Sequence, residues 1–110
     1  MDKVTHVLNK KLLNAVTMDT DLVSPVQNIQ QVAAIAVQHI WSGASGTLLL
    51  TVEGSNDGDN FTVIDTTSIV SASGSKLLNI EKAAYAYLRI SLDQTTGAGT
   101  LTSILNGKAI

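Results

Sequence analysis

The chain is 110 residues long, with seven Lys+Arg against nine Asp+Glu and no cysteine. Such a length sets a prior of one domain, and a formal charge of −2 offers no field for nucleic-acid phosphates. The missing thiols exclude a disulfide framework, a zinc–thiolate centre and a thiol nucleophile.

Val, Ile and Thr make up 31 of the residues while Glu is found only twice, the balance of an all-β domain. Residues 1–10 read as a polar N-terminal leader, either partly ordered or an arm that orders on a partner; Lys3, Lys10 and the adjoining Lys11 give it charge. Its sequence holds no apolar stretch of signal-peptide length, and no window in the chain is long and apolar enough to span a membrane. Residues 11–110 read as one β-sandwich domain. Lys11 to Met18 suit a first strand, and Asp19, Asp21 and Ser24-Pro25 then supply turn residues.

Residues 32–41 alternate with a period of two. Ala33, Ile35, Val37, His39 and Trp41 share one face, and Ala34, Ala36, Gln38 and Ile40 the other. Both faces are largely apolar, which predicts a central strand covered on each side; a helix over QNIQQVAAIAVQ is the rival reading. Ser42 to Gly46 reads as a turn that closes a hairpin onto TLLLTVE. Gly54 to Asn60 is a run of turn formers. Strands follow at Phe61–Asp65 and Lys76–Ile80, the latter pairing back; between them residues 66–75 read as a Ser/Thr-rich loop holding a short strand at Ile69-Val70. In 84–92 an apolar face of Ala84, Ala86, Leu88, Ile90 and Leu92 opposes Tyr85, Tyr87, Arg89 and Ser91. A hairpin turn at Gln94 to Gly99 leads to a last strand, Thr100 to Lys108. About eight strands without a helical period predict an antiparallel two-sheet β-sandwich of jelly-roll type.

Chemistry-bearing patterns are sparse. His39 has no partner motif and reads as a structural histidine, and no G-x-S-x-G elbow is present. Glu53, Asp57 and Asp59 lack calcium-loop spacing, so the acidic loop reads as turn chemistry. Gly97-Ala98-Gly99 lacks the strand–helix setting of a phosphate loop. No catalytic residue, cofactor or metal ligand is therefore expected. Tyr85, Tyr87 and Arg89 form a candidate interaction stripe, and Trp41, Tyr85 and Tyr87 a candidate platform for a sugar ring.

Several segments together carry a resemblance. They are a strand ending in Trp41-Ser42-Gly43, the turn Gly54-Ser55-Asn56-Asp57-Gly58-Asp59-Asn60-Phe61, the strand Tyr85-Ala86-Tyr87-Leu88-Arg89, and the ending Gly97-Ala98-Gly99-Thr100-Leu101-Thr102 with Asn106-Gly107-Lys108. Over residues 22–109 this pattern resembles the capsid decoration, or cement, proteins of tailed bacteriophages. The resemblance implies a jelly-roll-like sandwich on the outer surface of the virion capsid. It would be assembled in the host cytoplasm as a homo-oligomer (dimer or trimer) and would clamp subunits of the major capsid protein. It implies no membrane or nucleic-acid partner. A carbohydrate-binding, tail or neck module of a phage is the alternative.

Overall fold

The computed structural model describes residues 5–81, 83 and 85–109. Seven antiparallel strands run through them: β1 (Thr5–Thr17), β2 (Leu22–Val23), β3 (Gln27–Asn28), β4 (Ala34–Ser55), β5 (Thr62–Ser68), β6 (Gly74–Ile80) and β7 (Tyr87–Ala109). β4 and β7 are the spine, paired from Ala34↔Lys108 to Ser55↔Tyr87. β1, β2 and β3 follow one another along the free edge of β7. β5 and β6 do the same along β4. The sheet is thus four strands wide at both ends: β1–β7–β4–β6 at one, and β2/β3–β7–β4–β5 at the other.

A straight strand of 22 residues would be about 73 Å long, whereas the longest dimension of the molecule is 49 Å. The spine must therefore bend, and the backbone shows where. Gly43, Gly46, Thr96 and Gly99 all have positive φ. Between Ser42 and Ser45 three steps of β4 face two of β7, and between Ser45 and Thr47 two steps face three. Each strand therefore carries one bulge, and an extra residue inverts which side chains point inward. In β4 the buried set changes from Ile35, Val37, His39 and Trp41 to Leu48, Leu50 and Val52; in β7 it changes from Leu88, Ile90 and Leu92 to Leu101, Ser103 and Leu105. Because both strands slip once, pairing resumes with the same face of the sheet still inward. β1 bends at the same level, where Ala15 has φ 51° and its N–H donates to Thr102 Oγ1 at 3.1 Å.

The inward faces of the two halves merge into a single core that also takes in Leu12, Leu13, Met18, Ile29, Val32 and Ile69. At the open side, Lys76 of β6 reaches Asp65 of β5 at 3.4 Å, tying one layer to the other. The all-β antiparallel sandwich expected from the sequence is present, as one continuous sheet folded over. Each layer is four strands wide, with β2 and β3 sharing one edge position.

Three sequence expectations change. Ser42–Gly46 and Gln94–Gly99 are not hairpin turns: their glycines supply the backbone for bulges, and both strands run on. The strand over 32–41 is covered on one face only, since Ile40 on the other is 41% exposed. Among the described residues β1 already includes Thr5 to Lys10, part of the stretch read as a leader, with Lys10 opposite Leu105 and Lys11 opposite Ile104.

The corner is testable by substitution. A Cβ on Gly99 would lie 2.8 Å from Ala44 Cα and Ser42 O at φ 109°, so Gly99→Ala should lose about 2–3 kcal/mol. At Gly43 a Cβ meets nothing nearer than Gly99 Cα at 3.9 Å, so Gly43→Ala should lose only about 1 kcal/mol of left-handed strain. Urea midpoints of the two variants give the comparison; equal midpoints would contradict the corner geometry.

Candidate functional site

The end of the sandwich beyond β4 is organised by Asp57. Ser55 Oγ donates to Asp57 Oδ1 at 2.9 Å and accepts the N–H groups of Asp57 and Gly58 at 3.2 and 3.0 Å. Asp57 Oδ1 also accepts the N–H groups of Asp59 and Asn60, at 2.9 and 2.8 Å, and Oδ2 accepts Asn60 Nδ2 at 2.6 Å. These donors, the Asn60 N–H first, hold the Asp57 carboxyl far below its ordinary range. The carboxylate is engaged by its own loop, as the turn reading required.

Next to this turn lies an open groove of about 440 Å³, lined in part by Asn56, Asn60, Thr62, Ile64 and Tyr85. Gly54 makes room for it. Gly54 is opposite the inward-facing Leu88, and a Cβ there would come within 2.7 Å of Ile64 Cδ1 and 3.0 Å of the Tyr85 ring. Ile64 is the extra residue of a bulge, since Val52 pairs with Asp65 and Glu53 with Val63. The Tyr85 hydroxyl is buried without a hydrogen-bond partner, and burial raises its pKa.

The proposed stripe of Tyr85, Tyr87 and Arg89 is divided by this geometry. Tyr85 precedes β7, where the alternation has not begun, and its ring lies on the inward side against Gly54. Tyr87 and Arg89 are in β7, opposite Ser55 and Glu53, on the outward side. Arg89 Nε donates to Glu53 Oε1 at 2.7 Å, and its guanidinium carbon lies 4.0 Å from the centroid of Phe61. Tyr87 sits beside Gly58, whose Cβ position is 3.6 Å from its ring. Trp41 is buried and its Nε1 donates to Ser71 O at 3.1 Å, which removes it from any sugar platform. Lys10 and Lys11 are exposed on β1, the edge strand; Lys3 lies outside the described residues.

His39 is 1% exposed and Ser103, opposite it on β7, is fully buried. His39 Nδ1 and Ser103 Oγ share a hydrogen bond of 2.7 Å. A serine–histidine contact of this kind is the start of a nucleophilic arrangement, but burial closes this one to any substrate. The bond pairs the Ser103 hydroxyl with one ring nitrogen in the core, while His39 Nε2 is buried without a partner. Sequence reasoning missed the outward residues Ile40 and Leu77, 41% and 57% exposed. For Ile40 the signal was the apolar second face of β4, read as a covered face; Leu77 is on β6, beside Gln38 of that face.

No protein-family model and no curated protein matches the chain. Solved structures do share its fold. PBSX exported protein XepA aligns with a TM-score of 0.71 at 9% identity, over 94% of this chain and 37% of XepA. SPBc2 prophage-derived protein YomS aligns with a TM-score of 0.67 at 10% identity, over 97% of each chain. The infectious bursal disease virus VP2 subviral particle aligns with a TM-score of 0.57 at 9% identity, over 98% of this chain and 33% of VP2. The chain thus spans nearly all of YomS and about a third of the other two. At these identities the likeness is one of fold.

Burial of His39 makes stability depend on pH. Desolvation lowers its pKa from 6.5 to about 4, with Asp65 raising it and Lys76 lowering it to smaller extents. Below pH 6.5 the unfolded chain takes up a proton that the folded protein refuses. Stability present above pH 6.5 is therefore lost as pH falls toward 4, by about 3 kcal/mol in all. Urea midpoints should fall between pH 7 and 4.5 in the parent protein and stay much flatter in His39→Gln. An equal slope in both would show that other groups carry the effect.

Proposed function

We propose that this protein is a structural component of a tailed-phage particle that binds the outside of the head and clamps neighbouring major-capsid subunits. The observation that carries the reading is the near full-length fold match to a prophage-derived protein, joined to the run of motifs from Trp41 to Lys108. The viral VP2 match supports it in kind. Clamping a shell requires no chemistry. It requires a rigid body making modest contacts that symmetry repeats, and free energy gained only on the intact shell stabilises that shell. The protein would act as a homo-oligomer there if its copies meet across a symmetry axis.

A second reading, a saccharide-binding module of a tail or neck, draws on the end groove, where a half-buried tyrosine stands beside Asn56, Asn60 and Thr62. Co-sedimentation with undecorated heads of the parent phage separates the two. The head reading predicts saturation at hundreds of copies per head, unaffected by Tyr85→Ala. Protein left in the supernatant, together with Tyr85-dependent retention on host polysaccharide, would overturn it in favour of the saccharide reading.

A further inference from the structure

Antiparallel sheets with one wet face place polar residues on it, and the outward face of the β1–β7–β4–β6 layer departs from that rule. Leu77, Gln38, Ile104 and Lys11 form one cross-strand row, and Ile40 lies in the next, opposite Ser75 and Thr102. Leu77 and Ile40 are 57% and 41% exposed, so large apolar side chains stand uncovered at the middle of this face, among Gln38, Ser75 and Thr102.

Charge is sorted across the corner as well. Lys11 and Lys108 are exposed on this layer, Lys11 beside Ile104 and Lys108 opposite Ala34. Among the described residues no Asp or Glu lies in its paired rows; Glu81 follows β6 beyond them. Asp57, Asp59 and Asp93 belong to the other layer and its turn, and Asp19 and Asp21 to the connection between β1 and β2. Glu53 and Asp65 are taken up in ion pairs.

We propose that this outward face is the docking surface of the protein and that its occupant is a protein surface with carboxylates around an apolar centre. The proposal rests on the head-binding reading, in which that surface belongs to the shell. Charge complementarity selects the occupant. A second copy placed symmetrically on this face would bring two like-charged surfaces together, with the Lys11 and Lys108 of each copy meeting no carboxylate in the paired rows of the other. Size points the same way. Four strands and about seven residues give a footprint of about 440 Å², roughly half of the ~800 Å² per partner in a stable two-body complex. The face is suited to a site that an ordered shell offers many times over.

Co-sedimentation with heads at 50 and 300 mM NaCl tests the assignment, using the parent protein, Lys11→Glu/Lys108→Glu, Leu77→Ser, and the other-layer control Asp59→Lys/Asp93→Lys. All substituted positions are exposed, and urea midpoints verify that each variant folds. The parent protein should lose affinity several-fold in the higher salt. The double lysine variant should bind at least tenfold more weakly at 50 mM, Leu77→Ser several-fold more weakly, and the control within twofold of the parent. If the parent binds while both face variants match it, or only the control loses binding, the face assignment is overturned and the head reading stands. A stable dimer of the parent in sedimentation equilibrium, dispersed by Leu77→Ser, would overturn it in favour of a second copy. Failure of the parent to bind any head overturns the head reading and the assignment with it.

Discussion

Everything in this fold depends on one ladder, the pairing of β4 with β7 over more than twenty residues, and on the need to bend it. Left straight, that ladder would expose the inward face of both halves to water. Bent, it lets Val37 and Leu105 from one half share a core with Leu50, Leu92 and Ile90 from the other. Burying each such side chain contributes on the order of 1.5–3 kcal/mol, so the bend is what turns a ribbon into a stable sandwich. The backbone adapts at a few places only. Gly43, Gly46 and Gly99 adopt left-handed φ without a Cβ to oppose it, and Thr96 and Ala15 accept the strain at the same level.

The paired bulges also explain what was legible in the sequence. β-Branched content and period-two alternation identify strands, and the turn formers from Gly54 to Asn60 mark a true reversal. A phase slip at Ser42–Gly46 looks the same whether the chain turns back or bulges and continues, because both need glycine at positive φ. Only the partner strand distinguishes them, and that partner, 95–100, is some fifty residues away. The same non-local dependence separated Tyr85 from Tyr87 and Arg89: alternation applies only where a strand exists, and β7 begins at Tyr87. The second face of β4 was ambiguous for a related reason. Ala36 and Ile40 are as apolar as a covered face requires, but Ile40 is left 41% exposed by the described residues.

The chemistry-bearing residues divide between the two sides of the sheet. Inside, His39 Nδ1 is bonded to Ser103 Oγ while its Nε2 is buried without a partner, and burial holds the imidazole neutral well into the acid range. Outside, charge has been sorted, with ion pairs at Glu53–Arg89 and Asp65–Lys76 and unpaired lysines on one layer. The exposed apolar residues and the sorted surface charge are what support the proposed role as a part in an assembly. Fold analogy alone would not carry that conclusion, because one sandwich serves many roles; the patch and its charge belong to this chain.

The most direct test is an electron cryomicroscopy reconstruction of parent-phage heads saturated with the purified protein. The account predicts added density on the outer surface that fits the bent sandwich, with the β1–β7–β4–β6 layer against the shell and the Asp57 turn away from it. Heads without added density, or density fitting the sandwich with its acidic layer inward, would contradict it.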